Sequence, residues 1–192
     1  MILREMHFNS MYNPNISLFA QLMKSSKIHS KKGFFVGRPK FVEDIKREPN
    51  SYKDIVIKSF VLGRYFKKIT KRDENVALLL PNAIATVCTF FGLSAYERVP
   101  VMLNFSTGGK NMVSMCKTAV VKKIITSRAF VTQAKLEEDV KILQDAGFEV
   151  IYLESLAKKI SLKDKLGAFI RYKLKRVPHK DGGDKKAVIL FT

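Results

Sequence analysis

Tryptophan is absent from this 192-residue sequence, and cysteine and histidine are scarce, with two and three copies. Cys88 and Cys116 lie inside apolar stretches without metal or redox spacing, so the sequence predicts a reducing compartment and no disulfide framework. Both read as packing residues rather than nucleophiles. His7 and His29 have no carboxylate at a useful spacing. No Ser-His-Asp order, metal cluster or paired-carboxylate arrangement is present. Long apolar runs are lacking too. The longest, 83–95, falls short of the roughly 20 residues that span a bilayer core of about 30 Å. No apolar region follows Arg4, so no secretory signal is expected. These absences predict a chain that does not cross a membrane.

Acidic residues are also few. The sequence has 17 Asp and Glu against 35 Lys and Arg, a net charge of +18. Such a chain is drawn to anions. The imbalance peaks between Lys158 and Thr192, with 11 basic and 3 acidic residues. Solvated helix faces account for this bias. If it is functional, it predicts an anionic membrane surface or an acidic protein as partner, acting through Arg171, Lys173, Lys175 and Arg176 more than through Lys24, Lys27, Lys31 and Lys32. Tyr172 alone among these cations makes no stacking platform, so no specific nucleic-acid binding is expected.

What is present is enough apolar material, 46% of residues, for a core. Residues 1–33 read as a leader with one short amphipathic helix carrying Ile16, Phe19, Leu22 and Met23, ended by Lys31-Lys32-Gly33. Residues 34–192 read as an α/β unit. An extended piece at 41–44 precedes a helix begun by Pro49-Asn50-Ser51, with Ser51 and Asp54 as a capping box. Apolar runs at 76–80, 99–103, 123–126, 149–153 and 187–191 read as strands. Helical stretches at 83–96, 111–120, 135–146, closed by Gly147, and 163–175 separate them. Strands alternating with helices predict a mostly parallel sheet covered on its faces.

A phosphate-binding turn is missing. The loop Asn104-Phe105-Ser106-Thr107-Gly108-Gly109-Lys110 joins a strand to a helix, but it fits neither G-x-x-x-x-G-K-[ST] nor G-x-G-x-x-G. It reads as a plain connection. His179 and Asp184 have the His-x-x-x-x-Asp spacing of a general base and its orienting carboxylate, placed in a Gly-rich turn that reads as solvated.

Several segments together resemble the adenylate-forming (AMP-binding) acyl ligases. Asn75-Val76-Ala77-Leu78-Leu79-Leu80-Pro81-Asn82-Ala83 looks like their early strand and turn. Arg98-Val99-Pro100-Val101-Met102-Leu103-Asn104-Phe105-Ser106-Thr107-Gly108 is similar to a narrower version, R-x-P-A-M-L-N-[FY]-T-A-G. That version belongs to the acyl-acyl carrier protein synthetase half of the bifunctional 2-acylglycerophosphoethanolamine acyltransferase. Ser51-Tyr52-Lys53-Asp54, Val61-Leu62-Gly63-Arg64, 124–130, 150–156 and 187–192 fit the same subgroup. The resemblance covers 41–192.

The resemblance implies an incomplete N-terminal domain of that fold, ending just before the loop that holds the phosphates of ATP. Residues 1–33 then correspond to the join with an upstream acyltransferase. It further implies ATP and Mg²⁺ as cofactors, a fatty acid activated as acyl-adenylate, acyl carrier protein as acceptor, a link to phospholipid re-acylation, and a place in the cytoplasm or peripherally on the cytoplasmic face of a bacterial inner membrane. Of the loop only Thr192, its first residue, is among these 192 residues, so the resemblance assigns no catalytic or metal-binding residue and implies an inactive fragment. Two other readings stand beside it: a self-standing basic α/β module for anionic lipid or an acidic protein, and an acyltransferase using His179 and Asp184.

Overall fold

The computed structural model describes residues 15–29, 40–43, 49–174, 176–178 and 182–191. The Lys31-Lys32-Gly33 stop, His179 and Thr192 lie outside them.

Helix α1 (Leu18–His29) begins at Ser17, whose Oγ accepts from the Ala20 amide at 3.2 Å. Its predicted apolar stripe is used: Phe19, Leu22 and Met23 are buried, and the Phe19 ring meets Phe60 edge-on at 4.9 Å. A short antiparallel pair follows, β1 (Lys40–Glu43) with β2 (Pro49–Ser51). The run expected to open a helix at Pro49 is therefore a strand first. Ser51 then starts α2 (Tyr52–Ile69) by the expected capping box: its Oγ accepts from the Asp54 amide at 3.3 Å, and Asp54 Oδ2 accepts from the Ser51 amide at 3.0 Å. Two orphan amides are thus satisfied at once.

The main sheet comprises β3 (Asn75–Leu79), β4 (Val99–Met102), β5 (Lys123–Thr126) and β6 (Glu149–Tyr152), all parallel in the order β4-β3-β5-β6. The crossovers are α3 (Ile84–Ser94), α4 (Gly109–Thr118), and the pair α5 (Arg128–Gln133) and α6 (Glu137–Asp145). After β6 come α7 (Leu153–Lys159) and α8 (Leu162–Lys173). Gly147, at φ +91°, ends the α6 stretch as its position predicts.

Period-2 alternation makes the central strand apolar on both faces. Ala77 and Leu79 point toward Met112, Cys116, Val140 and Leu143 of α4 and α6. Val76 and Leu78 point the other way, toward Phe66, Leu93 and Leu156 of α2, α3 and α7. A third cluster holds the outer helices: Phe19, Ile55, Phe60, Cys88, Tyr96 and Ala168 join α1, α2, α3 and α8. The crossing of α2 and α3 is backbone-close. A Cβ on Gly63 would stand 2.4 Å from the Gly92 carbonyl oxygen, so only glycine fits there.

The run 187–191, expected as a full strand, makes one parallel bridge instead, Val101 with Ile189. The Ile189 amide donates to the Pro100 oxygen at 2.9 Å, and the Met102 amide donates to the Ile189 oxygen at 3.0 Å. Lys185 pairs with Glu97, which also accepts from Arg72 at 2.6 Å, and this anchors the segment from below.

Candidate functional site

In a doubly wound sheet, ligands gather outside the carboxyl ends of the strands, where the strand order reverses. Here the reversal lies between β3 and β5. Its mouth is zipped by the Thr126 hydroxyl, which donates to the Leu79 oxygen at 2.7 Å. Around it lie the 104–110 loop, Ser127 and Arg128, Tyr152 and Glu154. Because 187–191 runs parallel to β4, its downstream end points to this same edge.

The 104–110 loop is ordered by its own groups. Asn104 Oδ1 accepts from the Ser106 amide at 3.1 Å and the Ser106 hydroxyl at 2.7 Å, and the Thr107 hydroxyl donates to the Asn104 oxygen at 2.8 Å. Residues 105–107 form a single 3-10 turn. The Phe105 ring meets Phe130 edge-on at 5.3 Å. The α4 start, where a phosphate would sit in a nucleotide-binding turn, is filled by Asp139: its Oδ1 accepts from the Gly109 amide at 2.6 Å. A Cβ on Gly109 would lie 3.0 Å from that oxygen, so the glycine allows the approach.

The α5 start is filled in the same way. Ser127 Oγ accepts from the Phe130 amide at 3.1 Å, and Glu154 Oε1 accepts from the Ala129 amide at 3.4 Å. Burial pushes the Glu154 carboxyl up, but the amides of Arg128, Ala129 and its own residue, with the Ser127 hydroxyl, outweigh this and leave it below its ordinary value. Arg128 stacks over the Tyr152 ring at 4.1 Å to the centroid. Two helix starts at this edge thus carry protein carboxylates as their anions, which satisfies their amides and dipoles internally. The plain-connection reading of 104–110 agrees with this geometry.

Arg98, the first residue of the resemblance-bearing motif, stands at the other end of β4 and is 7% exposed. Its Nε donates to the Thr70 hydroxyl at 2.8 Å, its Nη2 to the Thr70 oxygen at 2.5 Å, and its Nη1 to the Tyr96 oxygen. Thr70 is the C-cap of α2. Arg98 therefore clamps α2 to the sheet rather than facing a ligand. An open cleft of about 600 Å³ at this amino edge is lined by Lys68, Lys71, Arg72, Lys122 and Lys123 together with Asp73 and Glu74.

Other candidates resolve simply. Asp184 is exposed, and its partner His179 lies outside the described residues. Cys88 and Cys116 are free and buried, and burial pushes both thiols up to about 11, so they stay protonated packing groups. Among the described residues, no group of three or more His, Cys, Asp or Glu could hold a metal ion. Sequence reasoning missed Asp139, Glu154 and the buried Asp164. For Asp164 a signal existed: Ser161-x-x-Asp164 repeats the capping-box spacing of Ser51-x-x-Asp54.

No family model matches the sequence. Solved structures do resemble it. VinN in complex with 3-methylaspartate superposes with a TM-score of 0.62 at 19% identity, over 91% of this chain and 43% of that one. A Mycobacterium tuberculosis fatty acyl CoA synthetase gives 0.63 at 16% identity, over 93% and 32%. The Klebsiella oxytoca NpsA N-terminal subdomain gives 0.59 at 9% identity, over 78% and 34%. The fold is that of an N-terminal subdomain of adenylate-forming enzymes. At these identities the likeness is one of fold. The chain spans less than half the length of each of the three.

No helix among the described residues is long and apolar enough to cross a membrane.

Proposed function

We propose that these residues are the front part of an ATP-dependent fatty acid ligase whose acceptor is acyl carrier protein and whose product feeds phospholipid re-acylation. The observation that supports this best is the position of the motif at 98–108. It forms β4 and the loop at its carboxyl end, and β4 is the strand that receives 187–191 in parallel. In the family resembled, the strand matching 187–191 leads into the ATP loop, and Thr192 is its first residue.

ATP and Mg²⁺ would supply phosphate activation of the carboxylate in such an enzyme. The two helix starts at the carboxyl edge of the sheet do not fit a polyphosphate. Asp139 and Glu154 occupy the α4 and α5 starts, and a polyphosphate placed there would meet a carboxylate at each. What these residues do is mechanical. They close the strand-order reversal through Thr126, clamp α2 through Arg98, and hold the run toward Thr192 against β4.

Two measurements test the reading. In the transcript, an S-G-S-x-G-x-P-K-G sequence in frame beyond codon 192 is expected, and a frame without it sinks the proposal. In an ATP–pyrophosphate exchange assay with long-chain fatty acid, the 192-residue chain alone should match a heat-killed control, while a fusion to the remaining domains of an acyl-acyl carrier protein synthetase should exchange.

A further inference from the structure

Among the described residues nine large hydrophobic side chains are exposed, and five of them belong to α8 and its cap: Leu162, Leu166, Phe169, Ile170 and Leu174. Leu162 is 82% exposed, Leu166 60% and Ile170 46%. At 3.6 residues per turn, Leu162, Leu166, Phe169 and Ile170 share one side of the helix. The opposite side carries Asp164 and Ala168, which are buried against α2. The helix is thus docked by a narrow face of Asp164, Ala168 and Tyr172 and leaves its broader apolar stripe to solvent, the reverse of an ordinary surface helix.

The charges around that stripe are of one sign. Lys163, Lys165 and Lys173 are exposed on α8, and Lys158 and Lys159 are exposed on the preceding α7. The sole acidic residue of α8, Asp164, is buried and neutralised by Lys68 at 2.9 Å and Arg64 at 3.5 Å. Lys163 and Lys165 stand on the two flanks of the stripe, and Lys173 lies 5.6 Å over the Phe169 ring. Long alkyl stems in these positions can follow the apolar surface while their ammonium groups reach a polar boundary. A convex, single-helix apolar ridge between lysines matches a deformable anionic surface.

We propose that the outer face of α8 docks on an anionic lipid bilayer, with Leu162, Leu166, Phe169 and Ile170 inserted at the headgroup boundary and Lys163, Lys165 and Lys173 on lipid phosphates. This stands on the helix alone and not on the ligase reading.

The test is sedimentation of the 192-residue chain with vesicles containing phosphatidylglycerol, against pure phosphatidylcholine vesicles. The parent should bind the anionic vesicles only. The Leu166→Gln/Ile170→Gln double variant should bind them about tenfold or more weakly at an unchanged melting temperature. Lys163→Gln/Lys165→Gln should also weaken binding and flatten its salt dependence, while Lys24→Gln/Lys27→Gln should not. In the parent, anionic vesicles should slow amide exchange across 162–170, a readout that needs no variant to fold. Equal binding to both vesicle types overturns the proposal, as does unchanged binding by the leucine–isoleucine variant or unchanged exchange. Self-association of the parent that the same variant abolishes also overturns it, and assigns the face to a second copy.

Discussion

At the scale of single residues, the strongest organising feature is Asp164. Its side chain is 3% exposed, accepts from Lys68 Nζ at 3.0 and 2.9 Å, and closes a capping box with Ser161. The Lys68 ammonium is the main cause that holds this carboxyl down at about 2, helped by the Ser161 hydroxyl and amide and opposed by burial. A folded pKa below the unfolded one, near 3.8, means that the stabilisation is fully present above pH 4 and is lost as pH falls toward 2. Asp164→Asn should cost about 1–2 kcal/mol at neutral pH. That is less than a fully buried pair would lose, since Lys68 is 55% exposed. Thermal melts of parent and variant should converge toward pH 2, and a gap that persists there would refute this origin. The capping spacing of Ser161 and Asp164 was legible in the sequence. The partnership with Lys68, 96 residues away, was not, because no local pattern records a long-range contact. Arg98 is similar: its place in a family-like motif was legible, its clamp on Thr70 was not. Arg98→Lys should lose the forked bonds to Thr70 and lower stability by about 1–3 kcal/mol, measured by urea unfolding.

At the scale of elements, alternation of apolar runs with helical stretches was enough to read β3 to β6 and the longer helices between them, α3, α4 and α6. Buried parallel strands are apolar on both faces, and this signal survives without any partner in view. Short elements were hidden. Helix α5 has six residues, too few for a helical period, and it is held by Ser127 and Glu154 rather than by propensity. The strand at 187–191 was over-read, since its apolar pattern is sound but only Ile189 bridges to β4. Beside the Lys185–Glu97 pair and the packing of Ile189 and Phe191, that docking has two backbone bonds, which can be broken selectively. Ile189→Pro removes the donor to the Pro100 oxygen. Amide exchange at Met102 should then accelerate, while the Leu103 amide, bonded to the Leu78 oxygen at 3.1 Å, should keep its protection. Equal acceleration at both would mean that 187–191 supports the whole sheet, not its edge alone.

At the scale of the whole molecule, charge and edges act in opposite directions. The outer edge of β6 has no strand partner among the described residues, and beyond β4 the single bridge to Ile189 leaves Leu190 66% exposed. Unpaired edges promote association. The net charge of +18 opposes it by mutual repulsion. Salt screens that repulsion, over about 8 Å at physiological strength, and leaves edge pairing and apolar contact intact. Sedimentation velocity should therefore show a larger oligomer fraction as salt rises from roughly 50 to roughly 500 mM. Binding to anionic vesicles should fall over the same range, because there the screened term is an attraction. The two opposite slopes separate edge-driven association from the surface chemistry of α8. The Leu166→Gln/Ile170→Gln variant should associate like the parent, since neither residue lies on a sheet edge. A monodisperse monomer with a sharp melting transition at high salt and high concentration would show that these edges are already protected.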